Sequence, residues 1–135
     1  MKYELIKGQA LVLTGPEGCG KTTLARQIAA QHGTFAEIDA WEMISHFGLG
    51  NALANEPDTL IVQEMPAREL ALAKIKEMVT SDTIICNQKY REPKPVKTPN
   101  FIFCTGFVDP FHEIASDRRF RVVRMGVATI TSLAI

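Results

Sequence analysis

The sequence predicts a three-layer α/β fold with a central, mostly parallel five-stranded sheet and a protruding β-hairpin. Short apolar runs typical of buried parallel strands recur along the chain, and segments of helical periodicity separate them. A polar, proline-interrupted stretch at residues 88–94 lies between two further strand-like runs, which is typical of a hairpin. The 135 residues suit a single domain, predicted to span residues 1–135.

Each element follows from a local pattern. The five sheet strands are predicted at residues 10–13, 34–38, 60–62, 100–105 and 120–125. A helix is predicted to run through Gln31, because Gly33 can terminate it. Residues 41–53 are predicted to form a helix and a loop, with Trp41 and Phe47 in the core.

A further helix is predicted to begin with Pro66 at its first position, where the missing N–H costs nothing. Its buried stripe is predicted to be Ala67, Ala71, Ile75, Met78 and Val79, with Lys74, Lys76 and Glu77 facing water. Residues 107–116 are predicted as a loop holding one helical turn, and the apolar segment 127–135 as a protomer contact or a core-packing tail.

Composition excludes several classes of protein. With 46% hydrophobic and 22% charged residues, no signal peptide and no run long enough to cross a membrane, the chain is expected to be cytoplasmic without a membrane partner. Cys19, Cys86 and Cys104 are odd in number and widely spaced, which argues against a disulfide framework or a zinc site.

The charge is unevenly distributed. The formal net charge of zero argues against a uniformly basic nucleic-acid binder. Residues 1–80 carry seven Lys/Arg against ten Asp/Glu, net −3, whereas residues 81–135 carry eight against five, net +3. A polyanion other than a nucleotide is therefore expected to contact the second half.

Residues 15–22, Gly-Pro-Glu-Gly-Cys-Gly-Lys-Thr, have the G-x-x-x-x-G-K-[ST] spacing of a phosphate-binding loop and follow a predicted strand. The glycines let backbone N–H groups turn towards phosphate oxygens, Lys21 reaches the β- and γ-phosphates, and Thr22 offers its hydroxyl to Mg²⁺. The motif predicts binding of ATP and Mg²⁺. The predicted nucleotide-binding residues are Gly15, Pro16, Glu17, Gly18, Cys19, Gly20, Lys21, Thr22 and Thr23.

A nucleotide-hydrolysing site of this type also needs an acidic group at the end of a neighbouring strand. Glu64 follows the strand at residues 60–62, and we predict it as a magnesium ligand or catalytic base. Gln63 occupies the position where many such enzymes carry a second acid. The protein is therefore expected to use Glu64 alone or to hydrolyse ATP slowly.

Two basic segments are candidates for further contacts. Arg118 and Arg119 precede the last strand, where a guanidinium could stabilise the γ-phosphate of a neighbouring subunit. In the predicted hairpin, Lys89, Tyr90 and Arg91 combine cations with an aromatic ring that could stack on a base. The alternatives are solvated or salt-bridged arginines and an exposed turn.

These motifs occur in order with the segments IKEMVTSDTI, NQKY, TPNFIFCTG and DRRF, from Ile75 onward. The set resembles the ATPase core of superfamily 3 helicases, the AAA+-related replication motors of viruses, phages and plasmids, over about residues 10–125. The resemblance implies an AAA+-like P-loop NTPase fold and a helicase-like DNA motor or remodelling protein.

The resemblance also implies roles for particular positions. Residues 15–22 would be Walker A, residues 63–64 Walker B, and Lys89 and Tyr90 would lie on a DNA-contacting hairpin. Thr105 would end the sensor strand, and Arg118 or Arg119 would be the arginine finger. Gly106 stands where an asparagine is expected, so nucleotide binding is better supported than turnover.

The implied partners are single-stranded DNA, other replication proteins and further copies in a homo-oligomeric ring, with a hexamer as one candidate. The implied location is the cytoplasm of a bacterium or of a phage-infected host. Two alternatives stay open: a nucleotide or small-molecule kinase with residues 88–97 as its lid, and an ATP-binding switch module with weak hydrolysis.

Overall fold

The computed structural model describes residues 3–45, 47–106, 108 and 112–126. The strands are β1 (Ala10–Thr14), β2 (Phe35–Asp39), β3 (Thr59–Gln63), β4 (Thr83–Cys86), β5 (Lys94–Lys97), β6 (Asn100–Thr105) and β7 (Phe120–Arg124). The helices are α1 (Lys21–Gln31), α2 (Ala40–Ile44), α3 (Gly48–Leu53), α4 (Ala67–Leu70) and α5 (Ala73–Thr80), and a 3₁₀ turn spans Glu113–Ala115.

Five strands form one sheet in the order β2-β3-β6-β1-β7, and all four neighbouring pairs are parallel. This confirms the predicted five-stranded sheet. Thr14 pairs with Thr105 and with Arg124, so the carboxyl ends of β1, β6 and β7 lie at one edge. That edge is where an α/β sheet places ligands.

Alternation along the buried strands divides the core between the two faces of the sheet. On one face, Leu11, Leu13 and Ile102 pack against Ala25 and Ile28 of α1. The opposite face is larger, and its buried residues come from the sheet, α2 to α5 and the hairpin. Helix α1 therefore covers this face together with Tyr3 and Leu5 of the amino-terminal segment, and it brings its amino end to the carboxyl edge of the sheet.

Strands β4 and β5 pair antiparallel, which confirms the predicted hairpin. Its buried residues Cys86 and Val96 pack into the larger core cluster. The Cys86 thiol donates to the carbonyl oxygen of Gly50 in α3 at 3.2 Å. A side chain at Gly50 would collide with the backbone of Asn87, so the glycine permits this close approach of helix and hairpin.

The prediction for residues 41–53 was wrong in two respects, the number of helices and the burial of Trp41. This segment forms two short helices, and Trp41 is 78% exposed, because Met43 takes the core-facing position of α2. Phe47 is partly exposed. An Asp39 capping box starts α2: Asp39 accepts from the backbone N–H of Glu42 at 2.7 Å.

The predicted helix from Pro66 is also corrected. Pro66 caps α4 in an extended conformation, and a second break at Leu72, also extended, separates α4 from α5. Ile75 and Val79 are buried as expected. Lys76 does not face water: its side chain is 15% exposed because the ammonium contacts Asp117 at 3.5 Å.

The predicted loop at residues 107–116 includes the 3₁₀ turn, although residues 107 and 109–111 lie outside the described part of the chain, as does the apolar segment 127–135. Within the described residues, no helix has the length and apolar character needed to span a membrane.

Candidate functional site

A cleft of about 1200 Å³ opens at the carboxyl edge of the sheet. Four segments line it: the glycine-rich loop after β1, the first turns of α1, the end of β3 with the residues that follow it, and the end of β6. Glu37 of β2 also reaches the cleft. Residues far apart in the sequence therefore meet at the edge where the fold favours a ligand.

The glycine-rich loop at residues 15–20 forms one wall. Gly18 and Gly20 have φ angles of 79° and 93°, which L side chains rarely adopt. At Gly15, an added Cβ would stand 2.5 Å from the carbonyl oxygen of Met125, so that position also requires glycine. The sequence glycines are thus explained by backbone geometry and by close contact with the chain after β7.

Lys21 and Thr22 begin α1 and face the cleft. The Lys21 ammonium donates to the carbonyl oxygen of Gly15 at 2.5 Å, which folds the side chain back over the loop. An ammonium has three donors, so two are left for other acceptors. Eight of the nine predicted nucleotide-binding residues line the cleft; Cys19 does not.

The Thr22 hydroxyl opens a line of hydrogen bonds across the floor of the cleft. It donates to Oε1 of Gln63 at 3.0 Å, and Nε2 of Gln63 donates to Oε1 of Glu37 at 2.9 Å. Arg26 completes the line with two hydrogen bonds to Glu37, at 2.9 and 3.0 Å. Gln63 thus occupies the position beside Thr22, and Glu64 does not.

Glu64 lines the same cleft and is exposed. Its φ of 56° lies in the left-handed region, which is uncommon for a residue with a side chain. Strain of this kind costs about 1–3 kcal/mol and is concentrated at functional sites. The turn immediately after β3 therefore combines a strained backbone at Glu64 with an exposed carboxylate that lines the cleft.

The end of β6 forms the back of the cleft, with Cys104, Thr105 and Gly106. Gly106 is fixed by its carbonyl, which accepts from the Thr14 hydroxyl. Burial raises the pKa of the Cys104 thiol to about 11, so it stays protonated at neutral pH. Thr105 is buried, and Gly106 offers no side chain where an asparagine was expected.

The predicted finger residues, Arg118 and Arg119, lie away from this cleft. They precede β7, whose first residue Phe120 pairs with Ala10, so they lie at the amino edge of the sheet. Arg119 is held by Asp117, with Nε and Nη2 at 3.0 and 3.1 Å from the carboxylate oxygens. Arg118 is exposed and forms no ion pair within the described residues.

The residues of the hairpin tip, Lys89, Tyr90 and Arg91, are all exposed, Tyr90 by 94%. The Lys89 ammonium lies 5.0 Å from the centroid of the Tyr90 ring, within cation–π range. None of the three lines the cleft, so the structure keeps the tip apart from the glycine-rich loop.

Glu37 and Arg26 were not predicted as site residues from the sequence. A signal for Glu37 was present, because apolar Ala36 and Ile38 flank it on a strand and both pack against the larger core cluster. Period-2 alternation then turns Glu37 to the other face, towards α1. Arg26 follows Thr22 by four residues, which places it one helical turn further along α1.

The fold is helicase-like, as solved structures show. This chain is 26% identical in sequence to the "NrS-1 C terminal region (305-718)", and the two structures superpose with a TM-score of 0.69. The match covers 89% of this chain and 30% of that chain. An A form of the same region gives 26% identity and a TM-score of 0.65 over 91% of this chain and 30% of that chain. A ligand-bound JCV Helicase, 17% identical with a TM-score of 0.57, is covered over 96% of this chain and 39% of that chain.

The chain belongs to the family of unknown function DUF5906, whose model matches residues 13–119. No curated protein matches it. The chain spans about a third of the length of the NrS-1 regions that it matches.

Proposed function

We propose that this protein is an ATP-binding P-loop ATPase of helicase type that acts on single-stranded DNA as a ring of identical subunits. The observation that carries the proposal is the position of Lys21 and the glycine-rich loop at the carboxyl edge of a parallel sheet, in a cleft of about 1200 Å³. Loop N–H groups, the amino end of α1 and the Lys21 ammonium together form an anion site.

The cleft also contains oxygen atoms that could serve as magnesium ligands. Hard oxygen ligands are what Mg²⁺ prefers, and Thr22, Gln63 and Glu64 supply a hydroxyl, an amide oxygen and a carboxylate around one cleft. Thr22 would hold the ion, and Glu64 would bind the water shell of the ion. When bound, Mg²⁺ neutralises charge on the terminal phosphates.

Chemistry in this cleft depends on few groups. We assign to Glu64, one of three glutamates that line the cleft, the task of accepting a proton from an attacking water, and Thr105 contributes a hydroxyl at the back of the cleft. An amide at Gln63 and no side chain at Gly106 leave less to orient that water. We therefore expect tight binding with slow turnover, and the same two positions favour the switch module as the second candidate function.

The kinase alternative requires residues 88–97 to close over the phosphates. None of the described residues that line the cleft comes from this segment. The exposed cations and the exposed ring at the hairpin tip instead suit the backbone and bases of single-stranded DNA.

Ring assembly is supported by the placement of the arginines. Since Arg118 and Arg119 lie at the sheet edge opposite the cleft, either one could act only on a nucleotide held by another subunit. Arg118 is the better candidate for the finger, because Asp117 already engages Arg119.

Titration calorimetry of the folded protein with Mg·ATP tests the proposal. Removing the ammonium in Lys21→Ala takes away two charge-assisted hydrogen bonds, about 3 kcal/mol or roughly a hundredfold in affinity. Lys74→Ala, an exposed lysine of α5, is the matched control and should bind like the wild type. Absence of binding at millimolar Mg·ATP would overturn the proposal.

A further inference from the structure

We propose that Glu37 is a positioning residue of the magnesium site. Its carboxylate orients the Gln63 amide, so that the amide oxygen accepts a hydrogen bond from the Thr22 hydroxyl. A lone pair on the Thr22 oxygen then stays free for the metal. This inference rests on the proposed function and assigns a role to a residue that the motifs do not include.

The hydrogen-bond geometry fixes the direction of each bond. An ionised carboxylate only accepts, so Glu37 must face the NH₂ side of Gln63, as the 2.9 Å contact from Nε2 shows. The amide oxygen is thereby turned to Thr22, whose hydroxyl donates to it at 3.0 Å. With its proton committed to Gln63, the hydroxyl presents only lone pairs to the rest of the cleft.

Arg26 holds Glu37 in place for this task. Both carboxylate oxygens accept from its guanidinium, at 2.9 and 3.0 Å, which fixes the plane of the carboxylate. The Glu37 side chain is only 24% exposed, so water competes weakly for it. The shared oxygen, Oε1, thus lies between the Arg26 and Gln63 donors.

Asp39, the other acid at the end of β2, cannot take this role. It pairs with Gln63 in the strand register, but its side chain caps α2 by accepting from the Glu42 backbone N–H at 2.7 Å. Glu37 is therefore the carboxylate that compensates for the missing acid at residue 63: the negative charge lies one side chain further from Thr22, and the amide connects the two.

The test measures ATP affinity by calorimetry in Mg²⁺ and in EDTA, and the ratio of the two gives the magnesium enhancement. Glu37→Gln should lower this enhancement about five- to tenfold, because a neutral amide no longer selects one orientation of Gln63, while affinity in EDTA stays unchanged. Glu77→Gln removes an exposed carboxylate of α5 and serves as the control.

A rescue separates positioning from general structural damage. In the exchange variant Glu37→Gln with Gln63→Glu, the carboxylate moves next to Thr22 on a side chain of the same length and the new amide can donate to it, so the enhancement should return. Gln63→Glu alone places two carboxylates side by side and should not improve on the wild type.

The outcomes distinguish the two levels of the proposal. Wild-type protein that binds no ATP in either buffer would overturn the proposed function and this inference with it. Normal ATP binding with full magnesium enhancement in Glu37→Gln, or failure of the exchange variant to restore it, would overturn the inference alone. Thermal melts of each variant establish that the protein compared is folded.

Discussion

Among the carboxyl groups that the structure describes outside the cleft, Asp117 has its pKa lowered to about 2, so its charge is expected to stabilise the fold. Its carboxylate accepts from the backbone N–H of Arg119 at 2.9 Å and from the Arg119 guanidinium at 3.0 and 3.1 Å. Lys76 adds an ammonium at 3.5 Å. The perturbation is Asp117→Asn, which keeps the shape of the side chain and removes its charge.

The magnitude follows from the pKa of this carboxyl group. The hydrogen bonds from Arg119 lower it from 3.8 to about 2. A difference of that size between the folded and unfolded chain corresponds to about 2.4 kcal/mol. The carboxylate itself is 11% exposed, but its partner Arg119 is 42% exposed and water surrounds the pair. Screening therefore reduces the expected loss to about 1–1.5 kcal/mol.

The sign of the pH dependence is fixed by the lowered pKa. Stability from the Asp117 charge is present above the unfolded value of 3.8 and is lost as the pH falls through the folded value of about 2. Urea unfolding should show that the wild type is more stable than Asp117→Asn by a nearly constant margin from pH 7 to pH 5, and that this margin shrinks progressively as the pH falls from 5 towards 1.

The control is Asp82→Asn, whose carboxylate is 83% exposed and forms an ion pair with Lys7. It should change stability by less than about 0.5 kcal/mol. Equal stability of the wild type and Asp117→Asn at pH 7, or a deficit that persists undiminished at pH 2, would refute the reasoning.

Two further predictions concern the proposed motor. Lys89→Ala should weaken binding of an oligo-dT probe and flatten the salt dependence of that binding, because the loss of one phosphate contact lowers the number of counterions released. Tyr90→Ala should lower the binding free energy by about 1–3 kcal/mol, because a base loses its stacking partner. An unchanged salt dependence would indicate that the hairpin tip is only an exposed turn and does not contact DNA. The Arg118→Ala variant should bind ATP normally but release phosphate slowly. Mixing it with Lys21→Ala subunits should restore phosphate release. If the mixture is no faster than its two components, Arg118 is not an arginine finger.

Much of the fold could be predicted because the strands are short, almost wholly apolar runs. Leu60 to Val62 has one reasonable place, in the middle of a parallel sheet, and it is fully buried there. The glycine-rich loop was equally readable, since its spacing reflects local backbone geometry. Both features depend on neighbours in the sequence.

The errors arose where distant residues decide the outcome. Lys76 was expected in water because its helix position is polar, but Asp117 approaches it across the fold. Trp41 was expected in the core on hydrophobicity alone, yet α2 has only five residues and Met43 occupies its buried position. Glu37 needed the β2–β3 register before its contact with Gln63 could be seen.

The close approach of Gly50 to Asn87 has a mechanical consequence. Helix α3 contacts strand β4 of the hairpin and also strand β2, so we expect a displacement of the hairpin to reach the strand that carries Glu37 through this helix. A methyl group at residue 50 would collide with the Asn87 backbone and force helix α3 and the hairpin apart. The hairpin and β2 would then lose the helix that connects them.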